Sequence, residues 1–409
     1  MQKSVLLIGM GDLTGPVLEK AHNRGLRVIA TNRNPQAKTL KQADVPLVID
    51  GTDIESLLAF VLTDPRAGNI VDVYAGTELF LSVNILKLAL GIPANSIQGA
   101  FAGQHKVVML DAWRKAGVPV PRGATLRGLD EAYRFVDRTG FPVILKPADG
   151  HSAIGVRVVW RVEDLADGFK HAVSVSTTNM VVMEEYIKGS LHDVNGIFIE
   201  GKFYPAGVSD KSAGLPPACI VEVVECPTRL TRSQQERVYE LLENGSRALG
   251  ISAGPVKCDI IWGQDGPRLL EVAPRFHGEL GSLYLLPLAQ GIDMYDSYFH
   301  YLSTGHIDEQ MLTPKLKGHV VVRMINAKPG KIVHIDHLKE AQTIPGIEAV
   351  LMQKYIGDHV QPVASNYDIP GYVVARGQNR EAAMTSLQEF ESLFNIVTEK
   401  SHEATQNCR

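Results

Sequence analysis

Apolar and polar positions follow three successive rhythms along this chain. Residues 4–9, SVLLIG, are an apolar run that predicts a strand. GMGDLTGP then turns into a helix ending near Arg24-Gly25, and LRVIATN predicts the next strand. VPLVID (45–50) and NIVDVYAG (69–76) continue the alternation, so a parallel sheet is expected over roughly the first ninety residues. Turn formers crowd GIPANSIQGAFAG (91–103), which reads as a boundary.

The second rhythm mixes long helices with strands. HKVVMLDAWRKAG (105–117) and LDEAYRFVDRTG (129–140) have helical periodicity. VILKP, GVRVVW, NMVVMEEYI, DVNGIFIEG and KFYPAGV are strand-like. Thr231 and Gln234 stand in capping-box spacing at the head of a long helix, TRSQQERVYELLENGSRALG. SLYLLPLAQGIDMYDSYFHYLSTG predicts a second, broken by Pro287. From about Lys315 the chain turns β-rich, with KGHVVVRMINA, GKIVHI, IEAVLMQKYI, GDHVQP and GYVVARG as short strands. A helix, REAAMTSLQEFESLFNIV, follows, and the polar tail SHEATQNCR is expected to fray.

Length and composition narrow the class. At 409 residues the chain should hold two to four domains. Hydrophobic and charged contents of 45% and 21% are those of a soluble globular protein, and a net charge of −4 gives no electrostatic case for nucleic acid. No apolar run approaches the roughly 20 residues that span a bilayer. The apolar N-terminus leads into a Gly-rich turn, so it reads as a strand and not a signal peptide. Cys219, Cys226, Cys258 and Cys408 fit no zinc spacing, and sparse thiols suit a reducing cytoplasm.

Candidate chemistry centres on a hairpin. The strand CDIIW carries Asp259, the strand RLLEV carries Glu271, and Asp265-Gly266 between them is a turn signal. Antiparallel pairing would set the two carboxylates side by side, where hard oxygen ligands suit Mg²⁺ holding phosphates. Arg275 follows on the departing loop, able to clamp a transferring phosphoryl group. Lys106 opens a helix, and Lys146 ends the apolar strand VILKP, where an unpaired charge would be costly. DGHSAIGV (149–156) offers Gly150, Gly155 and the Ser152 hydroxyl for an anion nest. In SDKSAGLPPACIVE (209–222), Lys211 could meet a carboxylate or phosphate and Glu222 an ammonium, against the plainer reading of a surface loop stiffened by Pro216-Pro217. His277, in Arg275-Phe276-His277-Gly278-Glu279, is a candidate base for an amine, and a pocket-lining histidine is the plainer reading. The turn Gly9-x-Gly11-x-x-x-Gly15 misses the dinucleotide fingerprint by one position, which favours a structural turn or part of a substrate pocket over a nicotinamide site.

Taken in order, these parts resemble the ATP-grasp superfamily over nearly the whole chain, in its carboxylate–amine ligase branch. The end of the chain, DHLKEAQTIPGIEAVLMQKYIGDHV and GYVVARGQNREAAM, resembles the β-rich end of L-amino-acid ligases; biotin carboxylase and the purine-biosynthetic ligases are more distant in likeness. The resemblance implies an α/β and α+β multidomain fold: a parallel βαβ domain over 1–103, an ATP-grasp domain over 104–310 with a lid at about 123–188, and a β-rich domain over 311–409. It implies ATP and Mg²⁺, with Mn²⁺ as a substitute, small-molecule carboxylate and amine substrates, and a homodimer. It gives Lys106 and Lys146 to the phosphates, Ser152 and Gly155 to the lid loop, and Glu184, Glu185 and Ile187 to the adenine edge. Leu191 falls where a ribose-binding acid is expected, and Asp193 is its substitute. Ala273 stands where the commoner pattern has a metal-binding Asn, which leaves the number of Mg²⁺ ions open. The implied activity is amide formation through an acyl phosphate. A carboxylase or purine ligase using bicarbonate or formate is the alternative, and a regulatory ATP-binding protein, favoured by Ala273, is the third reading.

Overall fold

The computed structural model describes residues 2–214, 219–278 and 280–399. Pro216-Pro217, Glu279 and the polar tail with Cys408 lie outside the described residues.

Strands Val45–Leu47, Arg27–Thr31, Lys3–Ile8 and Asn69–Ala75 form a parallel sheet in that spatial order. Lys3–Ile8 is an inner strand buried on both faces, which is why its sequence runs apolar without alternation. The chain then turns at Gly9, with φ +63°, and enters the helix Gly15–Asn23 with Pro16 in its first turn. The turn-rich stretch 91–103 holds a helix that composition hid, Ile97–Ala102, started by Ser96 Oγ accepting from the Gly99 N–H.

A small antiparallel sheet follows, ordered Gly123–Leu126, Val181–Glu185, Val143–Pro147, Arg157–Val159. Helices Leu129–Thr139 and Leu165–Ser174 contribute Phe135, Val136, Leu165 and Phe169 to a core of its own.

The central sheet has eight strands. Gly266–Ala273, Gly254–Gly263, Ser190–Ile199, Lys202–Ala213 and Val221–Cys226 continue without interruption into His319–Met324, Gly371–Gly377 and Ile347–Met352. The capping box at Thr231 starts the helix Arg232–Leu249, which ends at Gly250 in the left-handed region. Its Val238, Leu241 and Leu242 pack with Val256, Ile260 and Leu269 of the hairpin strands.

Three local readings need correction. The second long helix is broken at Gly291, φ +70°, and Pro287 sits harmlessly in the first turn of Leu286–Gln290. The last helix ends at Leu393, and Asn395–Glu399 is a strand paired with Gly330–Asp336, as the β-branched Ile396, Val397 and Thr398 favour. The hairpin loop is Gln264-Asp265, with Gly263 opposite Gly266, so the turn lies one residue earlier than the Asp-Gly signal suggests. Among the described residues, no helix is long and apolar enough to cross a membrane.

Candidate active site

The small sheet, the central sheet and the carboxyl end of the first sheet enclose a cleft of about 920 Å³. Its deepest wall is built by strand register. Asp259 pairs with Glu271 on one side and with Asp193 on the other, so three carboxylates stand in a row across three adjacent strands. A bulge helps: Ile260 pairs with Leu269, leaving Leu270 as the extra residue, and both Leu270 and Glu271 line the cleft.

Cations answer the row. Lys211 Nζ donates to Asp193 Oδ1 and Asp259 Oδ1, each at 3.0 Å. Lys257 Nζ lies 2.8 Å from Asp259 Oδ1 and 3.7 Å from Asp193 Oδ1. His277 Nε2 lies 3.1 Å from Asp193 Oδ2, and the ring has room because a Cβ on Gly281 would come within 2.2 Å of His277 Nδ1. Lys106 Nζ donates to the Gly150 carbonyl and lies 3.7 Å from Glu271 Oε2. Arg275 Nη2 reaches Glu78 Oε1 at 3.2 Å.

These contacts set the charges. Burial pushes Asp193 up, yet His277, Lys211 and Lys257 hold it well below the carboxylate range. Burial pushes Glu271 up as well, and Lys106, Lys257, Lys146 and Arg275 outweigh it. Lys211 is depressed by burial but raised above the lysine range by Asp193 and Asp259. All three therefore stay charged at neutral pH.

Toward the small sheet, Lys146 Nζ donates to Glu184 Oε2 at 2.5 Å, and both side chains are buried. Glu184 thus neutralises a lysine. Glu185 accepts from the Arg122 backbone N–H at 2.9 Å and from Arg122 Nε at 2.7 Å. Ile187, Ser152 and Glu222 line the cleft with them. Gly155 is not among the lining residues; at φ +73° it makes a close approach, since a Cβ there would lie 2.4 Å from Val175 Cγ2. Asp193, the candidate for the ribose, lines the cleft. It is fully buried and belongs to the carboxylate row.

Two residues of the site escaped sequence reasoning. Lys257 lies two positions before Asp259, on the same strand face, and period-two spacing could have found it. Glu78 follows the parallel strand Asn69–Ala75, at the carboxyl end where open α/β sheets bind ligands.

No group of three or more acidic, His or Cys side chains is arranged as a metal cage among the described residues. Asp259 and Glu271, facing each other, fit Mg²⁺, which is commonly held by one or two carboxylates together with substrate phosphates.

The family model of the L-amino acid ligase C-terminal domain 2 matches residues 323–399, and that of the carbamoyl-phosphate synthase L chain ATP-binding domain matches residues 105–195. An L-amino acid ligase from Bacillus licheniformis has a similar fold, with TM-score 0.83 at 17% identity, covering 98% of this chain and 99% of that one. The chain has the fold of ATP-grasp ligases. Its homologues and structural neighbours are ATP-grasp ligases. Another ATP-grasp fold, the biotin carboxylase domain of Hydrogenobacter thermophilus 2-oxoglutarate carboxylase, was crystallised as a dimer with MgADP, ADP and bicarbonate. It superposes with TM-score 0.73 at 18% identity, covering 97% of this chain and 91% of its own. The uncharacterized protein y4rH of Sinorhizobium fredii is 26% identical over 349 residues, 83% of this chain and 71% of that protein. The chain spans between 21% and 49% of the length of the carbamoyl phosphate synthase relatives it matches.

Proposed function

We propose that this ATP-grasp protein is an ATP- and Mg²⁺-dependent carboxylate–amine ligase that joins an amino acid or related acid to an amine. The observation that carries the reading is the row Asp193, Asp259 and Glu271, faced within one cleft by Lys106, Lys146, Lys211, Lys257 and Arg275. Such a site holds a polyanion and a hard cation together. The match of residues 323–399 to an L-amino acid ligase domain supports an amino acid substrate.

In this reading Lys106 and Lys146 bind the phosphates, the loop 149–156 covers them, and segment 123–188 closes as a lid that excludes water. Backbone groups at Glu184, Glu185 and Ile187 meet the adenine edge. Asp259 and Glu271 would hold Mg²⁺, which would supply charge neutralisation at the phosphates. The substrate carboxylate attacks the γ-phosphorus, the bond to ADP breaks, and an acyl phosphate forms. Arg275 and Lys211 stabilise the charge on the group in transfer. The amine nitrogen then attacks the acyl carbon and phosphate leaves. The proton lost by nitrogen goes to water, and His277, its ring held by Asp193, lines the pocket. Glu222 faces the amine as a counter-charge.

ATP-dependent phosphate release, measured with Mg²⁺ across amino acids singly and in pairs, tests this. ADP and phosphate should form with particular pairs. Release driven by bicarbonate or formate alone would replace the reading with a carboxylase or purine-type ligase, and silence from a protein that binds Mg-ATP would leave a regulatory ATP-binding role.

A further inference from the structure

The loop between strands Val143–Pro147 and Arg157–Val159 has an uncommon backbone. Ser152 and Ala153 stand at φ +54° and +61°, a region that non-glycine residues enter at a cost. The two form the centre of a tight turn, closed by the Ile154 N–H donating to the His151 carbonyl at 3.0 Å.

Contacts from the far end of the chain hold that shape. The Asn366 N–H donates to the Ser152 carbonyl at 3.3 Å. The Tyr367 ring meets the His151 ring edge-on, 6.0 Å between centroids at 89°. Ala153 packs on the cluster of Ile220, Met324 and Ile369. The contacting segment is itself braced: Asp368 Oδ2 accepts from the Ser365 N–H and hydroxyl, each at 2.8 Å, and from the Ala364 N–H at 3.1 Å. Tyr367 remains 58% exposed, so core filling does not explain its position. Both Asn366 and Tyr367 line the cleft.

We propose that Asn366 and Tyr367 are positioning residues that hold the 149–156 loop in its phosphate-binding form, which makes the C-terminal segment part of the nucleotide site. The proposal rests on reading that loop as the cradle of the ATP phosphates. It extends the reading by making nucleotide affinity depend on residues that need touch no nucleotide.

Two substitutions isolate the contacts. Asn366→Pro deletes one donor at the first position of a short 3-10 turn, where proline is accepted, and Ser365 at φ −153°, ψ 167° already has the extended backbone that precedes proline. Tyr367→Ala removes the ring, and Tyr367→Phe keeps it. The Kd of the full chain for Mg-ATP would be measured by titration calorimetry, beside thermal unfolding without nucleotide. Asn366→Pro and Tyr367→Ala should each weaken binding about fivefold at an unchanged nucleotide-free Tm, while Tyr367→Phe binds like the parent. Parent-level Kd in both weakening variants would overturn the proposal, as would an equal loss in Tyr367→Phe. Weakened binding that merely tracks a lowered nucleotide-free Tm would overturn it too, marking these residues as packing alone. A parent protein that binds no Mg-ATP overturns the nucleotide reading itself, a result distinct from the others.

Discussion

Asp193 and Glu271 stand in one row, yet their charges answer to different surroundings. Asp193 is wholly buried against Lys211, Lys257 and His277. Replacing it with Asn would strip buried cations of a partner, which typically costs roughly 3 kcal/mol or more. Glu271 is one-third exposed at its side chain, and its neighbour Lys106 keeps the Gly150 carbonyl as a second partner. Asp193→Asn should therefore lower Tm by several degrees, and Glu271→Ala should abolish turnover with Tm nearly unchanged. Thermal unfolding and phosphate release on the two variants check this together; equal Tm losses would dissolve the distinction. Sequence spacing pointed to Asp259 and Glu271 because a two-residue turn fixes their pairing locally. It did not foresee that Asp193 joins their row, because that pairing joins strands separated by the helix Arg232–Leu249, and nothing local encodes such a register.

At the scale of elements, the strand Val221–Cys226 and the helix Arg380–Leu393 are tied through one carboxylate. Glu225 accepts from Arg380 Nε at 2.6 Å and Nη2 at 3.0 Å, and His319 Nε2 stands 3.1 Å away on the neighbouring strand. The hydrogen bond from His319, and then Arg380, outweigh burial and hold Glu225 near a pKa of about 2. A carboxyl depressed on folding stabilises the protein above its unfolded pKa of 4.5 and loses that stability as pH falls toward about 2. Arg380→Ala should flatten the fall of Tm between those limits and cost roughly 1 kcal/mol at neutral pH, discounted because Arg380 is half exposed. An acid-unfolding profile parallel to that of the parent would remove Glu225 from the acid response. The same scale shows where pattern reading failed. Asn395–Glu399 reads as the tail of a helix because Phe394 and Ile396 continue the apolar spacing, and only its partner strand Gly330–Asp336, some sixty residues back, settles it as β.

For the whole molecule, the order of lysines, loop, acidic strand end and hairpin was legible because each part is local. How the ends of the chain meet was not. One core runs from Val5 and Leu18 through Tyr295 and Phe299 to Val374, and Arg24 forks onto Asp296 at 2.6 and 2.5 Å where the helix Gly15–Asn23 meets the helix Met294–Thr304. The central sheet passes without a seam from Val221–Cys226 to His319–Met324. Protection against hydrogen exchange should therefore be shared. Amides of those two strands should exchange only through global opening, at one common free energy, and pulsed labelling should show no intermediate with one strand open and the other closed. In that sense residues 319–399 fold as a share of the central sheet and not as an appendage, and a partial unfolding that releases them should open the cleft as well.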